Sequence, residues 1–325
     1  MKNIFLGLMS FALLVSCGSG NNKTNEKNDI LNSTIDTVLI KKHLYTLASD
    51  EMQGRGSGTQ GIELAAQYIE SEYRELGLET FDDYSSYRQE FRESEMDLFN
   101  VIGVLPGKSS PEEFVVISAH YDHLGIVNKD RAVSGDSIAN GADDDASGTS
   151  AIMALARYWK DRGDNARSIV FVAFTAEEKG LIGSTYFGQT IDPTKVVAGI
   201  NIEMIGKPST FGPNTAWLTG FDRSDFGTII QKNLIGTEYK LYPDPYPDFR
   251  LFFRSDNASL ARLGVPAHTF SSGPIDQDPY YHTVDDEVET LDMQLITNTV
   301  RAVALGTESI IMGIDTPSRI VLKEN

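Results

Sequence analysis

Four apolar runs in this chain each give way to carboxylates or imidazoles, and that arrangement restricts the fold more than any other feature. Residues 114–119 end in His120, Asp122 and His123, residues 168–174 in Thr175-Ala176-Glu177-Glu178, and residues 196–202 in Glu203. The fourth run, 265–270, is followed by a loop carrying Tyr281-His282-Thr283-Val284-Asp285-Asp286. Helical patterns over 147–160, 179–189, 224–234 and 255–263 lie between or after the runs. Strands alternating with helices pair mostly in parallel, in a sheet covered on both faces. The C-terminal ends of such strands share one edge, which is where open α/β sheets bind ligands. Groups far apart in sequence can therefore converge.

Between the first run and its helix stand Asp143, Asp144 and Asp145, directly before the small-residue turn Ala146-Ser147-Gly148. Keeping three adjacent carboxylates ionised beside an imidazole, in a partly desolvated place, costs several kcal/mol without a cation. A divalent metal removes that cost. The inventory of two imidazoles and three or four carboxylates, with no thiolate, suits zinc or a similar transition ion better than calcium. One carboxylate could bridge two ions that share an activated water. In the pair Glu177-Glu178 one side chain can ligate while the other stays free as a base.

At 325 residues and 41% hydrophobic the length accommodates one large or two ordinary domains; with a single composition regime and no internal repeat, one domain over 33–325 is expected. Its further elements are helices near 33–47, with Ser33 or Thr34 as N-cap, and over 60–76; strands at 87–92, 98–105 and 216–219; and a long closing helix over 292–312. A net charge of -18 argues against nucleic acid or an anionic bilayer as partner, since both require Lys/Arg patches.

Residues 1–17 have a short basic start, an apolar run too short to span a bilayer, and small residues before a cysteine, so they read as a signal peptide. The sequence Leu14-Val15-Ser16-Cys17 resembles the bacterial lipobox, which implies cleavage before Cys17 and a lipid on its thiol. Cys17 is the single cysteine, and a lipid anchor accounts for a lone thiol in an exported protein. With no Asp after it, the outer membrane is the expected location, on either face. Residues 18–32 are polar and read as a tether.

Together, His120-Tyr121-Asp122, Ala142-Asp143-Asp144-Asp145-Ala146-Ser147-Gly148, Glu177-Glu178-Lys179-Gly180-Leu181-Ile182-Gly183-Ser184, Asn201-Ile202-Glu203-Met204-Ile205-Gly206 and Tyr281-His282-Thr283 resemble the ordered motifs of the co-catalytic zinc exopeptidases. That group includes bacterial leucyl-type aminopeptidases, glutamate carboxypeptidases and glutaminyl cyclases. The resemblance spans about residues 33–312. It implies a three-layer αβα sandwich with a mixed, mostly parallel central sheet, two zinc ions and peptide substrates. It further implies that His120 and Glu203 hold one ion, that Glu178 and His282 hold the other, and that Asp144 bridges them, with a cis peptide to Asp145. Glu177 would be the general base for an activated water, and Asp122 the carboxylate that orients His120. Glu203 departs from the family pattern, in which Asp is usual. The implied activity is removal of N-terminal residues from peptides; the alternatives are a single-zinc glutaminyl cyclase, a glutamate-type carboxypeptidase and a non-catalytic binding lipoprotein.

Other polar residues have plainer readings. His123 is a neighbouring loop residue or a hydrogen bonder to substrate, His268 packs a strand, and His43 sits at a helix surface or boundary. Asp143 and Asp145 can be satisfied by N–H groups at the helix start that follows. Ser255-Asp256-Asn257 reads as a cap. Tyr281 is a candidate oxyanion stabiliser, and residues 242–253 a specificity wall with Arg250 as its notable charge. A serine mechanism lacks its G-x-S-x-G elbow.

Overall fold

A computed structural model describes residues 29–322, so the expected signal peptide, Cys17 and most of the tether lie outside the described residues. The four apolar runs form strands β3 (Ser110–His120), β6 (Arg167–Phe174), β7 (Val196–Ile202) and β10 (Ala267–Ser271). They pair in parallel in the order β6-β3-β7-β10, as the alternation with helices required. Strands β1 (Arg88–Glu93), β2 (Met96–Leu105), β8 (Thr215–Leu218) and β9 (Lys240–Pro243) extend this into an eight-stranded mixed sheet ordered β1-β2-β6-β3-β7-β10-β8-β9, while the short β4 (Gly125–Ile126) and β5 (Ile138–Ala139) pair with each other apart from it.

Alternate residues of the central strands feed two separate cores. On β3, Val115, Ile117 and Ala119 face one and Val116 the other; on β6, Ile169, Phe171 and Ala173 oppose Val170, Val172 and Phe174. The first core is closed by α1 (Thr37–Leu47), α2 (Gln60–Glu75), α3 (Gly148–Arg162), α5 (Phe226–Asn233) and α7 (Met293–Gly306). The second is closed by Phe187 of α4 (Ile182–Thr190) and Leu260 of α6 (Asn257–Ala261). The three-layer arrangement follows.

Some boundaries differ from expectation for identifiable reasons. The N-cap of α1 is Asp36, whose carboxylate accepts the Leu39 N–H at 2.8 Å, while Ser33 and Thr34 lie in a preceding helical stretch, 29–34. That stretch includes the end of the expected tether, because Leu31 is buried against the core. The closing helix breaks at Thr307, ahead of α8 (Glu308–Ile311). The edge strand β9 was not foreseen; its four residues end in Pro243, a composition that an edge tolerates.

His43 and His268 prove to be core groups. His43 is buried with Nδ1 2.8 Å from the Tyr68 hydroxyl, and burial, aided by the charge of Lys42, pushes its pKa down to about 3. His268 Nδ1 donates to the Thr219 carbonyl at 2.8 Å, leaving Nε2 to accept from Ser224 at 2.8 Å; burial lowers its pKa to about 4. Both side chains favour the neutral form in the fold. Their contribution is complete above the unfolded-state value near 6.5 and is lost as pH falls towards the folded values. Urea midpoints compared at pH 7 and pH 4 should therefore fall less for His43→Gln than for the wild type. Equal falls would show that His43 does not titrate on unfolding.

Candidate metal centre

β3, β6 and β7 end at the same edge, and the residues that follow turn inward. His120 is the last residue of β3 and fully buried; its Nδ1 lies 3.1 Å from the Asp122 carbonyl oxygen, which points Nε2 towards Asp144 Oδ1 at 3.1 Å. The Asp144–Asp145 peptide is cis. Gly141, which leads into this turn, has φ 54°, and a Cβ there would lie 2.3 Å from the Asp144 carbonyl oxygen and 2.5 Å from the His123 ring. Only glycine fits that close approach.

Hydrogen bonds from distant segments hold the turn. Asp286 accepts from the Asp143 and Asp144 N–H groups at 3.1 Å. Asp145 accepts the Gly148 N–H at 2.8 Å, as expected of a helix start, whereas Asp143 accepts from Gly206, beyond β7, at 2.7 Å. Lys207 lies 2.6 Å from Asp278 and 3.7 Å from Asp286, tying the loop that carries His282 to the back of the turn.

Two groups of donors emerge, and Asp144 belongs to both. One is His120, Asp144 and Glu203; the other is His123, Asp144 and Glu178. His282 Nε2 approaches Asp144 Oδ2 at 3.1 Å and Glu178 Oε2 at 3.2 Å, so all five expected ligands are brought together. The Ser255 hydroxyl donates to Glu203, bracing the longer side chain that replaces the usual Asp.

The sequence reading gave His123 no place in this cluster. It is fully buried, with Nδ1 2.9 Å from Glu178 Oε1 and 3.8 Å from Asp144 Oδ2. The signal available was its position three residues after His120 at a strand exit. Asp122 also differs in its role. Its carbonyl, rather than its carboxylate, is what His120 meets; the carboxylate is 3.8 Å away and accepts from Ser57 at 2.7 Å and from the Glu177 N–H at 3.0 Å. Asp122 thus fixes the Glu177 backbone. Asp256 makes no cap bond and is buried near Glu177.

Arg55 is the other residue that sequence reasoning passed over. It is fully buried and donates to four carbonyls: Leu47 and Asn140 at 2.6 Å, Tyr121 and Gly141 at 2.9 Å. Those oxygens lie at the end of α1, the exit of β3 and the entry to the acidic turn. Arg55→Met leaves all four in the interior without that donor and should cost on the order of 3 kcal/mol or more, measured as a loss of unfolding free energy in urea. A change under about 0.5 kcal/mol would contradict this account.

The electrostatics are those of a cation site. Burial opposes ionisation of Asp144, yet the adjacent His120 and His282 imidazoles hold its carboxyl well below the usual range. Burial likewise disfavours charge on His282, but Asp144 and Glu178 push its pKa up to about 10. Burial raises Glu177 well above the ordinary value; His120 opposes this and Glu203 and Asp256 add to it. His120 Nε2, His123 Nδ1, Asp144 Oδ2 and Glu178 Oε1 are buried with no hydrogen-bond partner among the described residues, although His123 Nδ1 stands 2.9 Å from Glu178 Oε1 and His120 Nε2 3.1 Å from Asp144 Oδ1. Ligand atoms on a tetrahedral zinc, each roughly 2.0–2.2 Å from the ion, stand about 3.3 Å apart and aim at the ion rather than at each other. The residues present fit a divalent metal pair.

Beside Glu203 a small pocket is walled by Met204, Trp217, Leu251, Ile275 and Tyr281, with Arg254 at its side. Of the expected specificity wall only Leu251 reaches it; Arg250 lines a separate outer cavity.

Residues 100–306 match the model described as Peptidase family M28. A "Probable zinc metalloprotease" of Pyrenophora teres f. teres is 32% identical over 185 residues, covering 55% of this chain and 38% of that protein; the chain thus spans well under half the length of that fungal relative. Among solved structures, the Legionella pneumophila LapA aminopeptidase superposes with a TM-score of 0.70 at 22% identity, covering 90% of this chain and 76% of that one. The Porphyromonas gingivalis glutaminyl cyclase gives 0.65 at 15% identity, covering 85% and 99%. Likeness at these identities concerns the fold.

Proposed function

The chain belongs to peptidase family M28, and from that premise we propose that it is a zinc-dependent aminopeptidase that removes residues from the free N-termini of peptides. The observation that carries the proposal is the sharing of Asp144 by two donor groups. In this reading His120, Asp144 and Glu203 would hold one zinc and Asp144, Glu178 and His282 the other, with His123 beside the second set. When bound, the pair supplies Lewis acidity towards a carbonyl and activation of water. The chain's own groups do the rest. Glu177 takes a proton from water and returns it to the leaving amine nitrogen. Tyr281 faces the same space with its phenol held neutral, since burial and the surrounding carboxylates raise its pKa, so its O–H can donate to a developing oxyanion. The apolar walls of the inner pocket receive the N-terminal side chain. Export and lipid attachment through Cys17 to the outer membrane belong to the same proposal and rest on the Leu14-Val15-Ser16-Cys17 sequence alone.

The glutaminyl cyclase likeness favours a second reading, cyclisation of N-terminal Gln at one zinc. Both are tested by incubating a peptide pool, half of it N-acetylated, with the protein, with and without a zinc chelator, and reading products by mass spectrometry. Stepwise loss from free N-termini that stops with chelator is the expected result. Ammonia loss from N-terminal Gln would replace the proposal with the cyclase, and trimming of C-termini would replace it with a carboxypeptidase.

A further inference from the structure

In a chain with a net charge of -18, four arginines without carboxylate partners line two adjoining cavities, of which the inner one borders Glu203. Arg254 lines the inner pocket. Arg223, Arg250 and Arg319 line an outer cavity of about 930 Å³ that shares Leu251 with it as a common wall. Among the described residues no ion pair involves any of these four, so their charge is not neutralised by a carboxylate of the chain. Asp222 and Asp244 also line the cavity, but neither is ion-paired to the arginines, and Asp244 is engaged by the Tyr246 N–H at 2.7 Å.

The guanidinium groups are positioned in advance. Arg223 lies 4.6 Å from the centre of the Phe252 ring and 5.1 Å from that of Phe253, and Arg250 lies 6.0 Å from Phe253. Arg319 is fixed by the Val196 carbonyl at 2.7 Å and the Pro193 carbonyl at 3.0 Å. Arginine stacked on an aromatic face keeps its planar fork of donors free for an oxyanion, and little side-chain freedom remains to be lost on binding.

We propose that the outer cavity is a subsite for a carboxylate on the peptide substrate downstream of its N-terminal residue, recognised chiefly by Arg223 and Arg250; this rests on the aminopeptidase reading above. With the N-terminal side chain in the inner pocket, Leu251 is the wall past which the rest of the peptide reaches the arginines. An acidic protein repels acidic peptides at long range, so the local cations are what let it select them. A free oxyanion such as phosphate shares the chemistry, and the test separates the two.

The experiment compares kcat/KM for Leu-Ala-Ala-Glu with Leu-Ala-Ala-Gln and Leu-Ala-Ala-Lys, all as C-terminal amides, in wild type and in Arg223→Ala/Arg250→Ala, with phosphate as a competing anion. The Glu peptide should be favoured over Gln by about 10-fold, mainly through KM and less so at high salt. That ratio should collapse towards unity in the double variant, and because it is taken within one protein sample, partial misfolding does not affect it. Equal rates for all three peptides would overturn the proposal. So would phosphate binding without discrimination among peptides, which would assign the cavity to a free anion. If no peptide is turned over, the aminopeptidase reading fails instead; calorimetric binding of the Glu and Gln peptides then decides the cavity alone, equal affinities overturning it.

Discussion

Glu177→Gln should abolish peptide hydrolysis, lowering kcat by about 10²–10⁴-fold, while leaving the zinc content unchanged. The side chain is placed by its own backbone: Ala176 before it has φ 54°, and the Glu177 N–H donates to the buried Asp122 carboxylate at 3.0 Å. Glutamine preserves the shape and cannot accept the proton. Burial raises the pKa of Glu177, with Glu203 and Asp256 contributing against the pull of His120, and a carboxyl shifted upward is better matched to moving a proton near neutral pH. Turnover and metal stoichiometry must be measured on the same preparation. Wild-type turnover would remove Glu177 from the mechanism. Loss of metal together with turnover would make it a ligand.

Asp144→Ala should be the most damaging single change in the cluster, because one carboxylate serves both donor groups. The expected result is loss of both ions and a fall in activity of at least about 100-fold, the upper range seen when only the outer partners of a ligand are removed. Glu203→Ala should cost one ion only, leaving the His123, Asp144, Glu178 and His282 side in place. Metal analysis after gel filtration separates the two variants. If Asp144→Ala keeps one ion in full occupancy, the bridging role is wrong.

The central sheet and the convergence of the candidate ligands were legible because both depend on where chemistry changes along the chain. Apolar runs that stop at His120, Glu177-Glu178 and Glu203 identify strand ends, and parallel pairing brings those ends together. His123 was only half legible: its place three residues after His120 marked it as near the strand exit, but whether it turns into the cluster depends on how sharply the chain bends after β3. The role expected of the Asp122 carboxylate changed for a similar reason, since its partners Ser57 and Glu177 lie 65 and 55 residues away. Local signals also misled at α1, where Ser33 and Thr34 looked like caps but Leu31 had enough apolar surface to draw the chain into the core before Asp36. Arg250 appeared to be the charge at the specificity wall, and a short turn instead gives that place to Arg254.

Arg55 ties the metal-centre loops to a segment that lies before the family match. The match to the family model starts at residue 100, yet the guanidinium that gathers the carbonyls of residues 121, 140 and 141 and the Ser57 hydroxyl on Asp122 both come from upstream of it. A fragment cut at the family boundary would keep every proposed metal ligand and lose the clasp that sets their spacing. The smallest autonomous unit therefore reaches upstream of the family match to include residues 55–57, so the acidic turn and the Glu177 backbone depend on a segment that carries no ligand of its own.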